Sequence, residues 1–422
     1  MPDGAFSMAV IEGDQEIPSE LLSAYLSALA PATDDGYCRK RYPWCLPSFQ
    51  SGGSLVTPAQ LAHRSIFTNA ISAFNSLTYS TRQTLFACEP CVFSGLWYFN
   101  YFIKCFLLGI PWDFIFKEVF PVPSEHARPY HCAISEHGTY MLFVQYEGTV
   151  FISSDSGESW DSVSPDGSGD RYWESCAMSQ DGSVMIVCGY DCGVCISKNY
   201  GSSWTRYNPS GNPYSEYMDI ACSADGSTII TGAYGGRLWI TKDTGSTWSE
   251  YRPAGNVNKT WDGFACDDDG SVLIACEDEE AVYISTDSGS NWDKRIPDEL
   301  QYPWWCQCAC SADGQIIYVS VGDGSLYRSP DYGVNWTNIS PYPEEGFQWG
   351  SVSCDKTGSR LICVLNDKLV FTTITSGSTW VQRDPSTGEE KKYFSSRISY
   401  DGYRAILGEQ YFGVYVCTRI YS

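Results

Sequence analysis

Basic side chains are scarce in this sequence. There are 27 Lys and Arg against 50 Asp and Glu, a formal net charge of −23, and 4 His in 422 residues. Nucleic acid needs a basic footprint to replace its counterions, so no nucleic-acid partner is expected, and anionic membranes are disfavoured on the same ground. No Ser-His-Asp arrangement is readable with so few histidines: His63 stands apart, and His126, His131 and His137 lie together further on. Met1-Pro-Asp-Gly-Ala-Phe6 lacks the basic and apolar regions of a secretory leader, so synthesis in a reducing cytoplasm is expected. A clean hydrophobic span is missing too. The most apolar run, Val92 to Ile110, carries Asn100 and Lys104, and a central Lys costs about 3 kcal/mol in a bilayer. A buried or oligomer-interface helix is expected there, and no membrane span.

Cysteine is plentiful, 19 in all. The odd total cannot pair completely within one chain. Cys222, Cys266, Cys310 and Cys354 share one phase of the chain, with Ile134, Met178 and Ile398 at the same phase elsewhere, so they are read as small core hydrophobes. Cys188, Cys192 and Cys195 are close enough for a local bridge, and Cys38, Cys45, Cys88 and Cys91 are the one set that could be four thiolates on zinc. Spacings of seven and three do not make the two tight pairs of a zinc ribbon, so free or disulfide cysteines are preferred.

That phase belongs to a repeat. Gly157, Gly201, Gly245, Gly289, Gly333 and Gly377 stand 44 residues apart, as do Trp160, Trp204, Trp248, Trp292, Trp336 and Trp380. A second series, Gly138, Gly182, Gly226, Gly270, Gly314, Gly358 and Gly402, keeps the same interval and numbers the units at seven. Short apolar strands and glycine turns at this period predict a β-propeller with one four-stranded blade per unit. In the second unit strand A is expected at 175–179, B at 184–188, C at 193–197, and D from Trp204. Pro165, Pro209, Pro253, Pro297, Pro341 and Pro385 end the D strands. Counting one period back from Trp160 and Pro165 lands on Phe116 and Pro121, a strand with no turn motif before it, while the last unit stops after strand C at Val414 to Thr418. Residues 116–121 are therefore expected to complete the last blade and hide two sheet edges.

The turn Ser153-Ser-Asp155-Ser-Gly157-Glu-Ser159-Trp160, with Thr241-Asp243-Gly245-Thr247-Trp248 and Ser285-Asp287-Gly289-Trp292, resembles the Asp-box or BNR repeat of sialidases and other propellers. The resemblance covers 116–422. The structural box residues are Asp155, Asn199, Asp243, Asp287 and Asp331; the motif is less regular at Asn199, Asn291 and Asn335, and Thr375 replaces the acid in the sixth copy, where a looser hairpin is expected. A carboxylate can bond the turn backbone, glycine accepts positive φ, and Trp supplies a packing face. In the families that carry it the box is structural. Arg295-Ile-Pro297 is similar to a sialidase motif but falls where every unit has its proline, and sialidases have six blades. Xyloglucan hydrolases of this type use two rings. Seven-bladed Asp-box photosystem assembly factors match the blade count, but their basic patch is absent.

Mainly β with a small helical N-terminal domain is thus the expected architecture: 1–112 helical, 113–422 a seven-bladed β-propeller. Residues 18–29 and a helix begun by Thr57-Pro-Ala-Gln60 have amphipathic spacing. Arg64 to Phe86 with Ser94-Gly-Leu-Trp-Tyr-Phe-Asn-Tyr-Phe102 is similar to a helical module of phage and bacterial structural proteins. The D–A and B–C loops define the face where propellers usually bind. Trp173, Tyr217, Trp261, Trp305, Trp349 and Tyr393 recur there, either to stack on sugars or to pack between blades. Asp170, Glu216, Asp298, Glu344 and Glu345 share that face, and Glu277, Asp278, Glu279 and Glu280 are metal candidates against a solvated acidic loop. No repeat carries an insertion, and enzymes on such rings build pockets from lengthened loops. The expected function is a non-catalytic structural and binding protein, with no cofactor: a virion or phage tail-like surface component, host glycan and neighbouring subunits as partners, the latter through the N-terminal domain, and a homo-oligomer among the options. The alternatives are a sialidase-like glycoside hydrolase or carbohydrate-binding Asp-box protein, and an intracellular assembly factor.

Overall fold

A computed structural model describes residues 116–119, 128–169, 171–278, 281–297, 305–322, 325–341, 349–365, 369–383, 385, 393–409 and 413–417. The expected helical domain at 1–112, with its cysteine set and the apolar run 92–110, lies outside them. The described strands form seven four-stranded antiparallel meanders. The first meander is β2 (Arg128–Ile134), β3 (Met141–Gly148), β4 (Val150–Ser153) and β5 (Asp161–Val163). The second is β6 (Arg171–Met178), β7 (Met185–Tyr190), β8 (Gly193–Ser197) and β9 (Thr205–Tyr207). These two are joined by Tyr146↔Tyr172 pairing between β3 and β6. Strand C and strand D of this unit fall where the sequence puts them, whereas strand A starts four residues earlier than expected, at Arg171.

The pattern of burial follows position in the blade. Strand B, for example Met185 to Gly189, is buried throughout because a neighbouring blade covers each of its faces. The outermost strand, Thr205–Tyr207, alternates little and is largely exposed. Each apolar cluster draws on two successive blades: Leu142, Val144 and Ile152 of the first pack with Trp173, Met185 and Val187 of the second.

Two devices close the ring. Phe116–Val119 (β1) pairs antiparallel with β28 (Val414–Cys417), in the register Phe116↔Cys417 to Val119↔Val414, which is the expected clasp. Around the axis, backbone N–H groups donate from blade to blade: Glu136 to Gln180, Gln180 to Ala224, Ala224 to Asp268, Asp268 to Ala312, Ala312 to Lys356, Lys356 to Tyr400, and Asp401 back to Glu136. Six of the donors stand 44 residues apart and Asp401, one position further on, completes the circle.

The turn motifs form the seams between blades. Ser153 Oγ accepts the Gly157 N–H at 2.8 Å, Asp155 accepts the Ser159 N–H at 2.9 Å, and Trp160 Nε1 donates to the Gly157 carbonyl at 3.2 Å. Asn199 does the same work, taking the Ser203 N–H at 2.9 Å. Thr375 keeps the bond too, accepting the Thr379 N–H at 2.9 Å, so that turn remains closed. What loosens is the Gly377 N–H, now 3.3 Å from Thr373 Oγ1, and Trp380, whose Nε1 turns to the Ile339 carbonyl instead. At Gly333, φ is +81° and a Cβ would sit 2.2 Å from Ile284 Cδ1 of the preceding blade, so only glycine fits both the turn and the seam.

Candidate functional site

Every strand A carries a register shift at the same phase, between Pro129 and His131, Trp173 and Ser175, Tyr217 and Ile220, Trp261 and Gly263, Trp305 and Gln307, Trp349 and Ser351, and Tyr393 and Ser395. An extra residue flips the two-residue alternation. That is why Trp173 and Cys176, three apart, face the same cluster, as do Trp261 and Phe264. The shift also frees residues from the ladder at the D–A end of the ring, among them Tyr130 in the first blade, Glu174 in the second, Asp262 in the fourth and Phe394 in the seventh.

Below this level the axis is filled. Asp219 accepts the Ser175 hydroxyl at 2.6 Å and the Phe264 N–H at 2.7 Å. Arg397 donates to His131 Nε2 at 2.7 Å, Ser351 Oγ at 3.2 Å and Gln307 Oε1 at 3.3 Å. Ser, His and Asp do meet here, contrary to what the sequence suggests, but the Ser175 proton goes to Asp219 and not to an imidazole. Burial and the Arg397 charge push the His131 pKa well below its usual range, and burial raises that of Asp219. All three are buried, and the Ser175 hydroxyl is committed to Asp219. At the A–B turn end, Asp268 takes bonds from Gln180 and Tyr400 across the ring.

The other end, the open end, carries exposed aromatic side chains among the described residues. Phe394, Tyr130, Tyr146, Tyr172 and Tyr190 follow one another with ring centroids 6.2, 5.4, 5.1 and 6.4 Å apart. Tyr130, Tyr172 and Tyr190 are 36%, 42% and 42% exposed. Glu174 lies under this arc, hydrogen-bonded to the Tyr130 hydroxyl, and burial followed by repulsion from Glu216 lifts its pKa to about 7. Asp262 is also lifted to about 7, by burial and then by Asp278, Asp219 and Glu277. The Tyr130 phenol is pushed upward by burial and by both acids.

This ring of meanders has known counterparts. The fold is a β-propeller. It is similar to Ycf48 bound to a D1 peptide (TM-score 0.57, 13% identity, 74% of this chain and 99% of that one) and to Ycf48 from Cyanidioschyzon merolae (0.55, 13%, 72% and 98%). It is similar also to a GH74 xyloglucanase from Xanthomonas campestris (0.58, 15%, 72% and 54%), of which the chain spans about half the length. No family model and no curated protein matches.

The propeller places the residues singled out in the sequence as follows. Trp173, Tyr217, Trp261, Trp349 and Tyr393 are at most 2% exposed and belong to clusters between blades, so they have no free ring face for a sugar. Trp305 begins β18 (Trp305–Cys310), and its side chain is outside the described set. Glu277 is buried and paired with Lys259 at 3.2 Å, so it is not a waiting ligand; Glu279 and Glu280 lie outside the described residues. Among the described residues no group of His, Cys, Asp or Glu is arranged to hold a metal ion. Asp170, Asp298, Glu344 and Glu345 also lie outside, while Glu216 is at the open end. Arg295 ends the outermost strand β17 (Asp293–Arg295), opposite Val282 and bonded to Asp293 at 2.9 Å. Cys188, Cys192 and Cys195 form no disulfide with one another. Burial raises the thiol pKa of Cys222 to about 12 and pushes those of Cys266, Cys310 and Cys354 upward as well, as expected of core residues.

Sequence reasoning missed the tyrosine arc because it follows neither the box nor the aromatic series. Its trace was Tyr146, Tyr190 and Tyr234, which repeat at the end of strand B in three successive units and then give way to Asp278.

Proposed function

We propose that this propeller is a non-catalytic binding protein whose partner sits on the open end of the ring. The observation that carries the reading is the exposed arc from Phe394 to Tyr190, since side chains of this size are rarely left uncovered side by side without a use. The arc spans the first two blades and the seventh, so the surface is asymmetric on an otherwise regular ring. The uniform repeat supports a shallow holding surface over a deep pocket. The same reading makes the chain a subunit of a larger assembly such as a virion or tail-like particle, with residues 1–112 meeting other subunits. Ycf48, a structural neighbour, is itself seen with a bound peptide.

A second reading has one observation in its favour. Two acids with pKa values near 7 are what a glycosidase uses as general acid and base, and Glu174 and Asp262 are such acids. Two assays separate the readings: binding on a glycan and peptide array, and hydrolysis of fluorogenic sialosides and xyloglucan oligosaccharides. Binding lost in Tyr172→Ala without any turnover supports the holding surface. Turnover abolished in Glu174→Gln overturns it.

A further inference from the structure

We propose that the open end takes a protein segment bearing Lys or Arg side chains, whose cationic heads rest between the tyrosine rings and the acids beneath them. This rests on the reading of that end as a holding surface. The acids gathered there are Glu174 and Asp262 on strands β6 and β14 (Trp261–Cys266), Glu216 just before β10 (Tyr217–Cys222), and Asp191 just after β7. No ion pair engages Glu174, Glu216 or Asp262 among the described residues. Among the described residues Lys259 bonds Glu277 at 3.2 Å, Arg171 bonds Asp166 at 2.8 Å, and Arg206 bonds the Asp191 carbonyl at 2.7 Å.

A cluster of repelling acids with no ion pair among the described residues invites a counter-charge. The phenol rings above supply the second half of the recognition, because an ammonium or guanidinium over an aromatic face gains attraction that a neutral sugar does not. Tyr130 couples the two halves. Its ring packs against Tyr146 and Phe394 while its hydroxyl holds Glu174. A neutral glycan would use the rings but leave the acids unpaired, and an anionic sialoside would be repelled. The charge therefore selects a cationic peptide over a sugar.

The test is fluorescence anisotropy with a labelled Gly-Arg-Gly-Arg-Gly peptide, against Gly-Glu-Gly-Glu-Gly and the neutral glycans of the array. Arginine-peptide binding that weakens roughly tenfold in Glu174→Gln and in Tyr172→Ala is expected, about the loss of one close charge pair or one cation–π contact. Asp293→Asn, an acid on the outermost strand far along the blade, should leave binding unchanged. Tyr172 is exposed, so its alanine variant keeps the test alive if Glu174→Gln does not fold. Equal loss in Asp293→Asn would mean diffuse attraction to an acidic protein and overturns the proposal. So does a glycan that binds through Tyr172 while the arginine peptide does not, a result that would leave the holding surface standing. No binding of either to the folded wild-type chain overturns both.

Discussion

Replacing Gly333 with alanine tests whether the box glycines are seams between blades or merely turn residues. Two costs are separable. An L-residue at φ +81° loses about 1–2 kcal/mol in the left-handed region. The new methyl would stand 2.2 Å from Ile284 Cδ1, the end of a side chain buried in the preceding blade, which must shift against its packed neighbours. Overpacking of that kind adds about 1–3 kcal/mol. Gly255, at φ +83° with nothing within 4 Å, supplies the control, because its alanine variant carries only the first cost. Urea denaturation followed by tryptophan fluorescence should therefore give Gly333→Ala a midpoint below that of Gly255→Ala at unchanged slope. Ile284→Val removes the offending methyl. Alone it should destabilise by about 1 kcal/mol, but in the Gly333→Ala background it should be neutral or helpful, a coupling of about 1 kcal/mol or more. A coupling of zero, or equal costs at Gly333 and Gly255, would refute the seam.

Removing residues 116–119 uncovers the edge of β28, so light scattering should report association and the melting transition should fall; an unchanged monodisperse chain would contradict the clasp. Arg397→Met withdraws the cation that Asp219 faces and the donors that His131, Ser351 and Gln307 receive, at about 3 kcal/mol, and Asp219→Asn in the same background should recover part of it in a thermal melt. Stability should also vary with pH in two opposed directions. Glu174 and Asp262 have folded pKa values raised to about 7, so the stability they contribute is present in acid and lost as pH rises through about 7. Asp243 is held down at about 2 by bonds from Thr247 and Thr241, so its contribution is present above its unfolded value and lost only as pH falls toward about 2. The melting temperature should peak on the acid side of neutrality, and Glu174→Gln should flatten the alkaline limb; a peak above pH 8 would refute the assignment.

Periodicity by itself determined the ring. Spacing at 44 residues located the strands to within a few positions, the Asp-box turns, and the partner of β28 more than 290 residues earlier in the chain, because a repeat that lacks its last strand must take it from the residues just ahead of the first. It also identified the cysteines at 222, 266, 310 and 354 as packing residues, because a side chain that recurs once per blade meets the same neighbour each time. The same logic kept the candidate site out of view. A position that repeats is by construction structural, as Trp173 and its equivalents are, whereas the open end is built from residues that break the repeat: Tyr130, Glu174, Asp262 and Phe394 share a phase and nothing else. Whether those side chains enter the packing or leave the ladder depends on a register shift in strand A, and no local propensity encodes it. Only the closure of the ring, which brings the seventh blade beside the first, sets Phe394 against Tyr130 and completes the arc.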